Sequence, residues 1–234
     1  MKNYGLNLEK EKLELKGDEW IFGATSPKCL FSIPLDKRET YLPIGELQNI
    51  GEEKSGCVSR AYINILESKF TYAYKNNLIS LDNKKWLESN GYLENGRVVF
   101  ADANIEILSG TTRQGNSLKA PIDTIRKVGL VPKKLLPQLN TWDEHYDPQR
   151  ITRAVERLGL NFIKRFSISY EQVSINDLAS LLSLDVVALA LHAWPSPQDG
   201  EYPRVDSPFN HCVMGFTLPT TYIFDNYLDD GKQG

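Results

Sequence analysis

Hydrophobic side chains recur every three or four residues in four segments of the chain, a spacing typical of helices with one buried face. Asn, Ser and Asp are favoured as helix caps, and glycine is favoured just beyond a helix end. The segments with these signals run from Val58 to Phe70, from Asn116 or Ser117 to Gly129, from Asp147 and Pro148 to Gly159, and from Ser174 to Leu182. We therefore predict four helices, of which the second and third end before their glycines.

The spacing changes after the fourth segment. Asp185 to Ala193 is rich in Val, Ala and Leu, while Cys212 to Leu218 and Thr221 to Phe224 combine β-branched and aromatic residues over strand-like lengths. Helices followed by strands predict an α+β protein with two lobes and an active site in the cleft between them. The expected divisions of a single domain over residues 1–234 are an amino-terminal extension (1–41), a mainly helical lobe (42–160) and a mainly sheet lobe (161–234).

Composition and charge exclude several classes of protein. The chain has 234 residues, of which 41% are hydrophobic and 24% charged, values that argue against wholesale disorder. The formal net charge of −3 argues against a nucleic-acid or anionic-membrane partner. The first twenty residues lack the apolar run of a signal peptide, and the most apolar run, Val186 to Ala193, is too short to span a membrane.

The cysteines differ in their setting. An odd number of them, three, in a chain of this size predicts free thiols in a reducing compartment rather than a disulfide framework. Cys57 lies at the start of the first predicted helix, where backbone N–H groups and the helix dipole stabilise a thiolate. Cys29 and Cys212 lie at no such position. Cys57 is therefore either a reactive thiol of low pKa or a small buried hydrophobic residue.

Three histidines are available as a general base for such a thiol. His145 has the sequence surroundings of a solvated loop residue, and His192 those of a core or strand-end residue. His211 follows a loop and precedes a predicted buried strand, so its imidazole can project into a cleft. Asn226, on the next predicted strand, is placed to orient that imidazole. Asp225 is adjacent and could take this role, but on a regular strand it would point to the opposite face.

Segments of the sequence resemble the papain-like cysteine peptidases. The run from Gln48 to Glu67 (QNIGEEKSGCVSRAYINILE) is similar to the family segment in which a glutamine precedes a cysteine that opens a long central helix. The segments NHCVMGF and YIFDNY resemble those that carry the family's histidine and asparagine, and residues 109–132 resemble its glycine-containing loop and following helix. The resemblance covers about residues 42–226. It implies a papain-like two-lobed fold, with the central helix starting at Cys57 and an antiparallel carboxyl-terminal sheet.

The resemblance also implies a role for each matching residue. Cys57 would be the nucleophile, and His211 the base that forms a thiolate–imidazolium pair with it. Asn226 would orient His211, and the Gln48 amide would stabilise the oxyanion together with the Cys57 backbone N–H. It places Gly110 and Gly115 in the substrate cleft and the segments that end at Trp194 and Asn210 in the wall of a second pocket, where Trp194 would either line the cleft or simply pack.

The sequence departs from the family pattern at several points. Gln48 and Cys57 are nine residues apart, which is longer than the usual separation. Tyr227 and Leu228 replace the usual Ser-Trp pair after Asn226, so the indole that covers the His–Asn hydrogen bond is missing. The chain ends eight residues after Asn226, and only 47 residues precede Gln48, too few for a helical inhibitory pro-region. We therefore expect a compact enzyme of bacterial or phage type without a pro-region.

Three functions fit these observations. The leading one is a cysteine peptidase, a hydrolase that cleaves a peptide or protein substrate through a thioester intermediate. The second is a catalytically silent module that binds peptide or protein. It fits the altered glutamine spacing, the missing tryptophan and the early carboxyl terminus of the chain. A third possibility is an amidase acting on peptidoglycan stems. We expect no metal and no cofactor, because the histidines are widely separated and no Cys-x-x-Cys pair occurs, and we expect a cytoplasmic or virion-associated protein.

Overall fold

The structure, a computed structural model, describes residues 5–7, 9–10, 32–170, 175–192, 209–229 and 232–233. It is an α+β protein, as predicted, with small antiparallel sheets. The helices are α1 (Cys57–Lys75), α2 (Leu81–Ser89), α3 (Asp102–Leu108), α4 (Lys119–Val128), α5 (Trp142–His145), α6 (Arg153–Arg165) and α7 (Leu178–Leu184). The strands are β1 (Leu93–Glu94), β2 (Arg97–Val98), β3 (Val187–Leu191), β4 (His211–Gly215), β5 (Ile223–Phe224), β6 (Leu228–Asp229) and β7 (Lys232–Gln233).

The longest helix, α1, is packed between an aromatic core and the main sheet. On one side, Phe70 of α1 contacts the rings of Phe100 and Phe166 edge to face, with centroids 5.5 Å and 5.0 Å away. On the other side, Val58 and Ala61 pack in a cluster that includes a residue of β4. Because both faces are covered, twelve of its residues are buried, and the amino-terminal end of α1 is held against the sheet.

The main sheet consists of β3, β4 and β5, with β4 in the centre. Its strands are antiparallel, and the register pairs Leu191 of β3 with His211 of β4. All five residues of β4 are buried, and β4 packs against α1. His211 therefore lies at the start of a central strand, beside the helix. His192 directly follows β3 and is half-buried, a strand-end position.

The first two predicted helices are confirmed. α1 covers the predicted segment and continues to Lys75. At the start of α4, the Ser117 Oγ accepts a hydrogen bond from the Ala120 N–H (3.1 Å). Gly129 follows its last turn with a φ of 76°, which favours glycine and ends the helix. Three shorter helices, α2, α3 and α5, were not predicted, because nine, seven and four residues carry too little periodicity.

The predicted bounds of the third helix are wrong. Pro148–Arg150 forms a separate 3-10 turn, and α6 begins only at Arg153, after the capping residue Thr152. Gly159 lies inside α6 instead of ending it. A Cβ at this position would overlap the carbonyl oxygen of Val128 at the end of α4. The glycine is therefore required by the close approach of two helices and not by a helix end.

The remaining predicted elements are present in shorter form. α7 matches the fourth predicted helix, whose proposed cap, Ser174, lies outside the described residues. β3 and β5 lie inside their predicted segments, and β4 begins one residue early, at His211, and ends at Gly215. The division of the chain into an extension and two lobes stays a prediction. Among the described residues, no helix has both the length and the apolar composition to cross a membrane.

Replacement of Gly159 by alanine is predicted to destabilise the fold. Inside a helix this change ordinarily stabilises by about 1 kcal/mol, but here the methyl group would meet the Val128 carbonyl. Since overpacking costs about 1–3 kcal/mol, we expect urea unfolding to show a net loss of stability. Leu160→Ala, at an exposed position of the same helix, is the control with a small effect. A Gly159→Ala variant as stable as the parent would contradict the prediction.

Candidate active site

The Cys57 thiol lies at the amino-terminal end of α1, beside the first residue of β4. α1 begins at Cys57, directly after Gly56, and both residues are buried. The Cys57 side chain is 1% exposed and lies near enough to the His211 imidazole for each group to influence the pKa of the other. It also packs in one cluster with Cys212, the next residue of β4. The start of α1 and the start of β4 thus bring together the thiol and the imidazole that were paired from the sequence.

The second partner of His211 is the Asp225 carboxylate. The His211 Nε2 atom lies 2.9 Å from the Asp225 Oδ1 atom. β5 ends at Phe224, so Asp225 lies beyond the strand, where side chains no longer alternate between two faces. For this reason Asp225 reaches the imidazole, although a regular strand would point it to the opposite face. With Nε2 facing Asp225, Nδ1 is the ring nitrogen available to the Cys57 thiol.

Asn226 does not orient His211, contrary to the prediction. Its side-chain amide donates to the Glu46 carbonyl (2.8 Å), and its side-chain oxygen accepts from the Asn64 Nδ2 (2.7 Å). Its backbone carbonyl accepts a hydrogen bond from the Gln48 N–H (2.9 Å). The bend after β5 directs this side chain towards α1, because Asn64 is a residue of that helix. Asn226 therefore anchors the segment before α1 to the helix.

Gln48 is buried within the site and contacts an aromatic residue that was not predicted. Its amide nitrogen donates to the Glu53 carboxylate (3.0 Å) and to the Tyr227 hydroxyl. The Tyr227 ring lies edge-on to the His211 imidazole, with centroids 5.3 Å apart. Tyr227 therefore covers one side of His211, where the sequence lacks the expected tryptophan.

The nine-residue separation of Gln48 and Cys57 is taken up by a loop folded round Lys54, which is buried. The Lys54 N–H donates to the Gln48 carbonyl (3.1 Å), which closes the loop. The Lys54 ammonium group donates to three backbone carbonyls, those of Ile50 (3.3 Å), Glu52 and Asn140 (2.8 Å). The long spacing therefore still places Gln48 beside the site.

A buried group of charged side chains supports the start of α1. The Arg60 Nε donates to Glu106 Oε1 (2.7 Å), and the His145 Nε2 lies 2.6 Å from Glu106 Oε2. Burial opposes ionisation of Glu106, but Arg60 and His145 outweigh it and hold the pKa of Glu106 below its usual value. A Cβ on Gly56 would overlap the Glu106 carboxylate, so the residue before Cys57 has to be glycine. The prediction that His145 is solvated is wrong, because this contact buries it completely.

Burial and neighbouring charges shift the pKa values of His211 and Cys57. Burial alone would lower the pKa of His211, but the Asp225 carboxylate outweighs it and, with the Cys57 hydrogen bond, raises the pKa to about 10. Burial raises the pKa of the Cys57 thiol, and the hydrogen bond with His211 offsets only part of this effect. In this state of the site, exclusion of water outweighs the helix and the imidazole, and it holds the pKa of the Cys57 thiol above its usual value.

The predicted substrate-binding residues fall into three groups. Gly115 and Asn210 both lie against residues 5–7 of the chain. Gly110 lies in an open turn with a φ of 70°, where an added Cβ would meet no atom within 4 Å. Trp194 lies outside the described residues. Of the three that the structure describes, Gly115 and Asn210 thus lie beside residues 5–7 and Gly110 does not.

Two residue groups of the site were missed because no local pattern points to them. The sequence pattern indicated only that Tyr227 and Leu228 replace a Ser-Trp pair, and it gave Tyr227 no role of its own. The partners of Glu106, at positions 60 and 145, lie far from it in the sequence, so no local pattern connects the three residues. Within the part of the chain that the structure describes, no group of three or more His, Cys, Asp or Glu side chains is placed to hold a metal ion.

In comparisons with known proteins, neither a protein-family model nor a curated protein matches the sequence. The chemistry of the site therefore has to follow from its own contacts. These contacts place a thiol, an imidazole and a carboxylate next to one another, with backbone N–H groups at the start of α1 beside them.

Removal of the Asp225 charge is predicted to lower the pKa of His211. Asp225→Asn keeps the shape of the side chain but no longer stabilises the imidazolium, so the pKa falls from about 10 by at least about one unit. An NMR titration of the three histidines measures it. Asp143→Asn, which removes an exposed carboxylate, is the control without effect. An unchanged pKa of His211 would show that Asp225 is not its ionic partner.

Replacement of Glu106 by glutamine is predicted to destabilise the protein strongly. The change leaves the buried Arg60 with much less compensation, and breaking a buried ion pair costs about 3–5 kcal/mol. Thermal and urea unfolding measure the loss. Glu156→Gln, at an exposed position of α6, serves as the matched control. A loss for Glu106→Gln no larger than for the control would refute the structural role of the cluster.

Proposed function

We propose that the protein hydrolyses peptide bonds with Cys57 as nucleophile and His211 as acid and base. The observation that carries the proposal is the row of contacts from the Cys57 thiol through His211 to the Asp225 carboxylate. Acyl transfer requires a nucleophile, a proton carrier, a group that orients the carrier, and donors for the oxyanion. Each requirement has an occupant at this site.

The reactive form is a Cys57 thiolate beside a His211 imidazolium. The thiolate attacks the carbonyl carbon of the substrate, and the carbonyl oxygen becomes an oxyanion. His211 gives its proton to the leaving amine as the C–N bond breaks, which leaves a thioester on Cys57. Neutral His211 then accepts a proton from water, and the resulting hydroxide oxygen attacks the thioester carbonyl. The C–S bond breaks, the acid product leaves, and the thiolate–imidazolium pair is restored.

Asp225 acts on this cycle through the charge of His211. Its carboxylate favours the imidazolium, which is the form that can donate a proton to the leaving amine. It also fixes the ring through Nε2, so the other ring nitrogen faces Cys57. Asp225 is therefore a positioning residue in the proposed mechanism, the role that the sequence had given to Asn226.

The oxyanion would be stabilised by donors at the start of α1. The Cys57 backbone N–H lies in the first turn of the helix, whose N–H groups have no partner within the helix. The Gln48 amide is the second donor. It would turn from the Tyr227 hydroxyl, with which it now bonds, to the oxyanion.

The proposal includes a papain-like fold. Its support is the order of the parts along the chain: a cysteine that opens the long helix α1, a histidine that opens β4, and a polar orienting residue after β5. The carboxylate of Asp225 in place of an asparagine amide is the main departure from that pattern.

A catalytically silent peptide-binding module is the second candidate. The burial of the Cys57 thiol, its raised pKa and the engagement of the Gln48 amide by Glu53 and Tyr227 favour it. In this case the groove would hold a peptide with no turnover, and Cys57 would contribute only packing.

Replacement of Cys57 by alanine is predicted to abolish peptide hydrolysis. The rate should fall by about 10³-fold or more, because the thioester cannot form. Mixed peptides and peptidoglycan stem peptides serve as substrates, and mass spectrometry reads the new termini. Cys29→Ala is the matched control and should retain the activity. Peptide binding without cleavage by the parent, with equal binding by Cys57→Ala, would favour the silent module and contradict hydrolysis.

A further inference from the structure

Residues 5–7 lie beside Cys57 in a groove between two segments of the chain, and Leu6 forms a parallel bridge with Asn116. The Asn116 N–H donates to the Gly5 carbonyl (2.8 Å), and the Asn7 N–H donates to the Asn116 carbonyl (2.8 Å). On the other wall of the groove, the Leu6 N–H donates to the Asn210 carbonyl (3.3 Å). Three backbone hydrogen bonds to two walls are the way a groove holds an extended peptide.

The side chain of Leu6 fills an apolar pocket next to the thiol. Leu6 is 3% exposed and clusters with Cys57, Val58, Ala61 and Cys212. Burial of an aliphatic side chain of this size is favourable because it removes apolar surface from water. The pocket therefore supplies a substantial part of the affinity of the groove for this segment.

Gly5 lies directly over the Cys57 thiol. An added Cβ at Gly5 would come within 3.1 Å of the Cys57 Sγ and 2.5 Å of the Ser55 carbonyl oxygen. The φ of Gly5 is 110°, a conformation that other residues rarely adopt. Glycine is thus the residue that allows the chain to pass this close to the nucleophile.

The segment is held in a direction in which none of its peptide bonds is placed for cleavage by Cys57. Leu6 pairs in a parallel bridge with Asn116, and the Gly5 carbonyl oxygen is held by the Asn116 N–H. The oxyanion donors named above lie instead at Gln48 and Cys57. The Gly5 carbonyl is therefore bonded to the wall of the groove and not to the proposed oxyanion donors.

A further anchor follows the segment. The Lys10 ammonium group donates to the Ser109 carbonyl (3.3 Å) and to the Asn116 side chain, and the Lys10 N–H donates to the Asn7 side chain (3.0 Å). Asn116 is thus bonded to this part of the chain through both its backbone and its side chain.

We propose that residues 5–7 are an intramolecular ligand of the groove that covers Cys57, and that the groove binds extended peptides with glycine over the thiol and an aliphatic residue beside it. The proposal rests on the proposed function in that the covered residue is the proposed nucleophile, but covering does not itself require catalysis. Three residues suffice for this contact. Displacement of the segment would also return water to the thiol, whose pKa burial now raises.

The test measures how fast iodoacetamide alkylates Cys57 in the full chain, by peptide mapping with mass spectrometry. Gly5→Ala adds a methyl group where it meets the Ser55 carbonyl. Its matched control is Gly96→Ala, since Gly96 also has a positive φ of 73° but an added Cβ there meets no atom within 4 Å. Leu6→Asp puts a charge in the apolar pocket, and Leu81→Asp, at an exposed position, is its control. We expect the Gly5 and Leu6 variants to be alkylated at least about tenfold faster than the parent and both controls.

A second arm distinguishes displacement from unfolding. A synthetic peptide with the sequence of residues 3–10 (NYGLNLEK) is added to the Leu6→Asp chain. It should restore slow alkylation, whereas the same peptide with aspartate for its leucine should not. Equal alkylation of all variants would overturn the proposal. Faster alkylation that the peptide does not reverse would also overturn it, because the segment would then support the fold and not occupy a binding groove.

The result of the alkylation test can be distinguished from the result of the hydrolysis test. Faster, peptide-reversible alkylation without hydrolysis of any substrate would uphold the covered groove and refute the peptidase. Hydrolysis that depends on Cys57, with equal alkylation of all variants, would uphold the peptidase and refute the covering segment.

Discussion

The site depends on one buried ionic contact, in which the Glu106 carboxylate is held between Arg60 and His145. These side chains are excluded from water, so the negative charge has to be compensated inside the protein. Glu106 lies under Gly56 and thereby sets where α1 begins. Arg60 also donates to the Glu46 carbonyl (2.8 Å), so the same contact fixes the segment before the helix. The position of the thiol follows from this pairing.

Three consecutive residues after β5 have separate roles at the site. Asp225 bonds to the imidazole, Asn226 ties the neighbouring segment to α1, and Tyr227 lies against the ring. A regular strand could not do this, because it would send alternate side chains to opposite faces. The end of β5 at Phe224 is therefore what allows a carboxylate, an amide and an aromatic ring to act at one site.

The parts of the site that lie within regular elements could be predicted from the sequence, and those that depend on distant contacts could not. Periodicity located the helix that begins at Cys57 and the strand that begins at His211, because both elements bury one face or more. The alternation of side chains along a strand gave the wrong direction for Asp225, because this residue lies one position beyond the end of β5. The burial of His145 and the raised pKa of Cys57 escaped prediction because the groups that bury them are remote in the sequence. Local pattern carries no information about such contacts.

The central claim is that Cys57 forms a covalent bond with the acyl group of a peptide. The most direct measurement is acid-quenched mass spectrometry after brief incubation of the full chain, and of its Leu6→Asp variant, with a peptidyl 4-nitrophenyl ester that ends in Leu-Gly. The account predicts an acyl adduct on Cys57 alone, removable by hydroxylamine as a thioester is, and formed faster in the variant. An adduct on another residue, or none on Cys57 in either chain, would contradict the account.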